Sequence, residues 1–201
     1  MYHPDLATNL VIERHLEEMK EEMKQNLASF GVSPSEENPN LLNLEAKSFR
    51  TEENAIANLI ADLVLTQNDN KETQVVLLNG GQFRCDKNWA GLKTTEDFYH
   101  LLAIEDRLLQ LKVRGSVIKQ ALEHSVSGEM VKGKTDGKFL SAISGLNFTW
   151  DPTQQSGKRV VKVMMWPKTS KGIAEELDHD KEYVIKIAEY MLRGGDGYNC
   201  F

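Results

Sequence analysis

The stretch Val75-Val-Leu-Leu-Asn-Gly-Gly-Gln-Phe-Arg84 constrains this chain more than any other. Four apolar residues in succession are too few for a helix and read as a strand buried on both faces. The run ends at Asn79-Gly80-Gly81. There the backbone can adopt φ > 0 and lie free of side chains. A buried strand that stops at a glycine turn, with Asn79 before it and Arg84 after it, makes a ligand edge. Backbone N–H groups, an amide and a guanidinium on one edge suit a phosphate or a carboxylate. The same letters also describe an ordinary strand-to-loop turn followed by a surface arginine.

A two-faced strand needs cover on both sides, and the chain can supply it. It has 201 residues, 40% of them hydrophobic and 27% charged, enough for one sizeable core. The net charge of −6 argues against a nucleic-acid footprint, which is basic. No apolar run approaches a membrane span, and Met1 to Leu10 lacks the basic start and apolar block of a secretion signal. Cys85 and Cys200 make neither a disulfide framework nor a zinc spacing.

Helical spacing of Leu16, Met19, Met23, Leu27 and Phe30 predicts a long amphipathic helix over Asp5–Phe30, stopped by Gly31. Its stripe suits either packing on its own domain or a connection to something upstream. Residues 32–40 read as loop. Ile56, Leu59, Ile60, Leu63 and Val64 predict a second helix with one apolar face, capped by Thr51, so that Arg50 lies just before a helix N-terminus that favours anions. Thr94-Thr-Glu-Asp97 opens a short helix, Leu109, Leu111 and Val113 alternate as a strand, and Ser116 caps a helix through Ile118, Ala121 and Leu122. Leu146–Trp150 and Arg159–Trp166 read as a hairpin, and Tyr183–Ala188 as a further strand. The chain closes on Gly194-Gly-Asp-Gly-Tyr198, a second glycine-rich turn. Helices and strands without strict alternation predict an α+β fold. It is one domain over 41–201 with the helix of 1–31 appended.

Catalytic patterns are missing. No serine sits in a nucleophile elbow and no glycine-rich loop leads into Lys-Ser or Lys-Thr. His3, His15, His100, His124 and His179 are scattered. Asp178-His179-Asp180 reads as a solvated loop before a strand rather than as a metal site, and His124 as a partner of its helix dipole.

Four segments in order carry a resemblance: Arg50-Thr-Glu-Glu-Asn-Ala-Ile-Ala-Asn-Leu-Ile-Ala-Asp62, Leu77-Leu-Asn-Gly-Gly-Gln-Phe-Arg84, Ala121-Leu-Glu-His-Ser-Val126 and Gly194-Gly-Asp-Gly-Tyr198. With Phe139-Leu140, Ser144-Gly-Leu146 and Arg159-Val-Val161, they resemble the C-terminal domain of the 5′-nucleotidase family, the metal-dependent phosphoesterases that include UDP-sugar hydrolase and ecto-5′-nucleotidase. In that family a separate N-terminal domain holds two divalent metal ions and hydrolyses the substrate. The C-terminal domain binds the nucleotide and swings it to the metals, and a long helix joins them. The resemblance therefore implies a substrate-recognition domain for a nucleotide or another phosphorylated small molecule. Its partner would be an upstream metallophosphoesterase domain, and it would need no cofactor of its own. The metal-ligand signatures of that domain are absent from these residues, so the resemblance assigns no catalytic residue here. Family members often act outside the cytoplasm.

Carried over residue by residue, the resemblance implies that Asn79, Gly80, Gly81 and Arg84 contact the nucleotide, with Gln82 in place of a third glycine. It implies that Tyr190 stacks on the base and Asp196 bonds the ribose. Arg50 joins Arg84 as a holder of anionic groups. Three departures accompany these matches. Ile104 stands where the family has a second stacking aromatic. Glu52 stands where some members have an arginine. Ala55 stands where the pattern has an asparagine that Asn54 would have to replace. The departures leave an alternative, a non-catalytic module that keeps the fold and has lost tight nucleotide binding.

Overall fold

The computed structural model describes residues 6–24, 26–30, 44–66, 72–84, 91–128, 138–166 and 173–201. The loop expected at 32–40, the stop at Gly31 and Cys85 lie outside them. The chain begins with α1 (Leu6–Met23), followed by β1 (Asn26–Phe30). Next come α2 (Ser48–Thr51), α3 (Ala55–Thr66) and β2 (Val75–Leu78). Then follow β3 (Gly91–Thr94), α4 (Thr95–Leu101), β4 (Leu108–Arg114) and α5 (Gly115–Ser125). The last third holds β5 (Ala142–Ser144), β6 (Leu146–Trp150), β7 (Val160–Met165), β8 (Glu175–Glu176), β9 (Glu182–Ala188) and α6 (Glu189–Leu192). This is the expected α+β mixture in a single domain.

The strand β2 lies inside a four-stranded sheet of order β4-β9-β2-β5, parallel to β9 and antiparallel to β5. Its side chains alternate between two cores, as a period of two requires. Val75 and Leu77 join α5, the β6–β7 hairpin and Tyr198, while Val76 and Leu78 join α2, α3, Phe83 and Leu101. All four are essentially inaccessible. Burial of each is worth about 1.5–3 kcal/mol, so the end of β2, where Asn79 begins, is held firmly in place.

Several local expectations are corrected. The first helix stops at Met23, because Asn26–Phe30 pairs antiparallel with Gly91–Thr94 and gains sheet hydrogen bonds that a longer helix would forgo. Leu16 and Met19 on α1 remain about half exposed. Helix α3 forms where expected but turns a different face inward: Ile56, Ala57, Ile60, Ala61 and Leu65 are buried, whereas Leu59 and Leu63 face outward. Alanines let the helix approach the sheet closely, which the larger leucines would prevent. Thr51 is not its cap. Thr51 ends α2 and donates to the Lys47 carbonyl, and Asn54 Oδ1 accepts the amides of Ile56 and Ala57 at 3.0 and 3.2 Å. Ser116 is likewise no cap, because the Gly115 and Ser116 amides are taken by the carbonyls of Lys181 and His179, each at 2.9 Å. Thr94 does cap α4, in a reciprocal capping box with Asp97.

Candidate functional site

Asn79 leaves β2 at the rim of the sheet, and a turn of 3₁₀ helix follows over Gly80–Gln82. Neither Gly80 nor Gly81 has a positive φ. Gly80 is required for space instead: a Cβ there would lie 1.8 Å from the carbonyl oxygen of Phe49. This close approach ties the turn to α2 and places Arg50 beside it. The expected cradle of free backbone donors is also corrected. The Gly80 amide binds the Phe139 carbonyl at 2.7 Å, and those of Gln82, Phe83 and Arg84 bind Asn79, Gly80 and Leu101 carbonyls. These four amides are therefore not available to a ligand.

The second turn arrives from the other end of the chain. Strand β9 pairs with β2, so α6 and the glycine turn after it emerge at the same sheet edge as Asn79. Here glycine is used for conformation. Gly194 and Gly197 have φ of 81° and 83°, and Asp196 between them has φ of 51°, left-handed for a residue with a Cβ. That costs about 1–2 kcal/mol and is offset only if the neighbours fix the residue. They do. Asn79 Nδ2 donates to Asp196 Oδ2 at 2.7 Å, across 117 residues of sequence. The Tyr190 hydroxyl donates to Oδ1 at 3.0 Å and accepts from the Asp196 amide at 3.2 Å. His124 Nε2 lies 2.8 Å from the Asp196 carbonyl oxygen. Burial, and next the Asp196 carboxylate, push the Tyr190 phenol above the ordinary tyrosine range.

Between the two turns lies a cavity of about 430 Å³ whose walls include Arg50, Asn79, Gly81, Arg84, Tyr190 and Asp196. Of the residues that the resemblance assigns to the site, only Gly80 is set back from it, buried under α2. Arg84 is exposed, and its guanidinium donates to the Phe83 carbonyl at 3.0 Å and to that of Gly81. Arg50 is half-buried, and its Nε is inaccessible with no hydrogen-bond partner among the described residues. An unsatisfied buried donor of this kind costs about 1–3 kcal/mol. Ile104 lies in the same wall as Tyr190, and both are 46% exposed.

Of the remaining walls, Gln82 belongs to the motif already noted in the sequence, and the others were not legible beforehand. Gln82, Glu105 and Asp106 contribute, as do Glu189 and Arg193, which pair with each other one helical turn apart. Asp106 has a specific part in this wall. Its Oδ2 accepts the Tyr190 amide at 3.1 Å, so the loop after α4 steadies the ring. The charged pair at i, i+4 was the available signal for Glu189 and Arg193. Two departures noted in the sequence change meaning. Glu52 does not sit in this cavity. It lines a separate one of about 300 Å³ with Phe139 and Trp150, so its carboxylate is not part of this cavity's wall. Asn54 is buried and committed to capping α3 and to Ser48, so it is not turned to a ligand.

Elsewhere, Asp178 Oδ1 accepts the amides of Asp180 and Lys181, the arrangement of a loop turn. No three His, Cys, Asp or Glu side chains among the described residues converge as a metal site. No described helix is long and apolar enough to cross a membrane.

Known proteins share both the sequence pattern and this architecture. The family model described as "5′-nucleotidase, C-terminal domain" matches residues 31–201. A snake venom 5′-nucleotidase of Macrovipera lebetinus is 30% identical over 169 residues, 79% of this chain and 40% of its own length. Among solved structures, a 5′-nucleotidase precursor from Thermus thermophilus superposes with a TM-score of 0.77 at 30% identity, covering 98% of this chain and 36% of that one. The NAD nucleotidase of Haemophilus influenzae gives a TM-score of 0.73 at 25% identity, covering 98% of this chain and 34% of that one. The chain thus spans about 40% or less of the length of these relatives.

Proposed function

Since the chain belongs to the 5′-nucleotidase C-terminal domain family, the substrate-binding module of nucleotidases, we propose that it recognises a nucleotide for a metal-dependent phosphoester hydrolysis carried out in a domain outside these residues, as part of nucleotide catabolism. The observation that carries this reading is the single cavity between the two glycine turns, with guanidinium, amide, phenol and carboxylate groups in its walls. Arg84 and Arg50 hold the anionic groups, Arg50 having a buried N–H that lacks a partner among the described residues. The Tyr190 ring stacks on the base. Asp196 accepts a hydrogen bond from a sugar hydroxyl, and Asn79, bonded to the same carboxylate, aligns it while reaching the base with its amide. Divalent metals would act in the partner domain, and the catalytic step needs no side chain from this one. The partial coverage of the relatives supports this division.

Ile104 lines the same cavity as Tyr190 at the position where the family has a second stacking aromatic, which favours a weaker hold or a substrate other than a standard nucleoside monophosphate. Calorimetric titration with adenosine, adenosine monophosphate and UDP-glucose decides the matter. Micromolar binding of at least one is expected. Arg84→Ala should abolish it, and Tyr190→Ala should weaken it by the roughly 1–3 kcal/mol of one base stack. No heat with any of the three would establish the alternative, a module that keeps the fold without the binding. Phosphate release by the isolated chain with added divalent metal would overturn the division of labour.

A further inference from the structure

Residues of α5 do not line the cavity but reach its second turn from behind. Glu123, 8% exposed, spans two backbone donors of the neighbouring strand: its Oε2 accepts the Arg159 amide and its Oε1 the Val160 amide, each at 2.9 Å. In return Arg159 Nη1 donates to the carbonyls of Val126 and Gly128, closing the C-terminal end of α5. Ser125 and Ser127 hydroxyls bind the carbonyls of Leu122 and His124, each at 2.7 Å. The last turn of α5 is therefore fixed from several directions, and His124 is the side chain it extends toward the glycine turn. The ring meets Tyr198 edge-on at 4.7 Å. It also crowds Gly197, where a Cβ would lie 3.0 Å from Cε1. Its Nε2 reaches the Asp196 carbonyl oxygen at 2.8 Å. A carbonyl only accepts, so Nε2 carries the proton in this contact.

We propose that His124 is a positioning residue. It anchors the Asp196 carbonyl, so that this residue keeps its left-handed backbone and aims its carboxylate at the sugar hydroxyl of the ligand. This replaces the dipole-partner role that its place on α5 suggests, and it rests on the nucleotide-binding reading above. Helix α5 thereby joins the recognition site through one N–H. The anchor acts foremost on the sugar contact, and on the base stack only through the Tyr190 hydroxyl that shares Asp196.

Two variants separate the hydrogen bond from ring packing. His124→Phe keeps an aromatic ring against Tyr198 and Gly197 and removes the donor. His124→Gln keeps an N–H at a similar reach. Calorimetry on the whole chain compares adenosine monophosphate with its 2′,3′-dideoxy analogue. The Phe variant should bind adenosine monophosphate roughly tenfold more weakly. It should bind the dideoxy analogue within about twofold of the wild type, and the Gln variant should restore most of the loss. An equal loss on both ligands, or none on either, overturns the proposal. If the wild type binds neither ligand, the nucleotide reading fails, and amide exchange at Gly197 and Tyr198 still decides the anchor. These amides close the turn onto the Gly194 and Gly195 carbonyls. Exchange accelerated about tenfold in the Phe variant and not in the Gln variant supports the anchor, and unchanged exchange overturns it.

Discussion

The two glycine turns that face each other across the cavity use the same residue for opposite purposes. At Gly80 the backbone is one any residue could adopt, and glycine is needed because the Phe49 carbonyl occupies the place of a side chain. At Gly194 and Gly197 there is more room, and glycine is needed because φ is positive. The first turn is thus set by packing, buried against α2 and delivered by a strand with two covered faces. The second is set by conformation and held by side chains: Asn79, Tyr190 and His124 all bond Asp196. A site needs both properties. A rigid floor fixes where Asn79 and Arg84 lie, and a turn tied by polar contacts presents a carboxylate whose direction matters.

The largest effect should come from breaking the packed turn. Gly80→Ala forces a Cβ against backbone atoms that cannot rotate away, so α2 and the turn must separate. A loss of about 3 kcal/mol or more is expected, at or above the upper end for overpacking, read as a fall in the urea midpoint without a change in slope. Gly194→Ala tests the other half of the contrast. Its Cβ would meet only the end of the Asn199 side chain at 3.2 Å, so the cost is the left-handed backbone, about 1–2 kcal/mol. If the two substitutions cost the same, the distinction between space and conformation collapses. If Gly80→Ala is the milder, it is reversed.

That contrast also explains what could be read beforehand. Val75–Leu78 was legible because four consecutive apolar letters have few solutions, and both faces are covered as expected. The start of α4 at Thr94-Thr-Glu-Asp97 was legible because the capping box that forms there is local. The strand at Asn26–Phe30 was not, since its partner lies some 65 residues on and the local letters fit a helix equally well. The buried face of α3 was misread because Ala57 and Ala61, which allow close approach to β5, carry a weaker apolar signal than Leu59 and Leu63. In the site, the two turns were visible separately as glycine clusters. Only the resemblance joined them, because parallel pairing of β2 with β9 is what brings them together and such pairing leaves no local trace. The contact of His124 with a main-chain oxygen was invisible for the same reason: a carbonyl has no letter.

The smallest effect expected is a pH dependence confined to the second turn. Burial first, and then the hydrogen bond to Asp196, hold the Tyr190 phenol above its usual range, so the folded protein releases that proton less readily than the unfolded chain. Below the ordinary tyrosine value near 10 both states keep the proton, and the contribution to stability is whole. As the pH rises past that value the unfolded chain ionises first, the balance moves toward it, and the contribution is lost by the time the folded phenol titrates. Tyr190 is nearly half exposed, so solvent screens the contact and the change is small. Urea midpoints of the wild type and Tyr190→Phe, compared at intervals from pH 8 to about pH 11, isolate it from the other tyrosines. The difference between the two proteins should stay level to about pH 10 and then narrow, whereas a level difference throughout means that the phenol does not help to hold the conformational turn. Gly80→Ala, by contrast, should cost the same at every pH in that range, because no titrating group takes part in the contact it breaks.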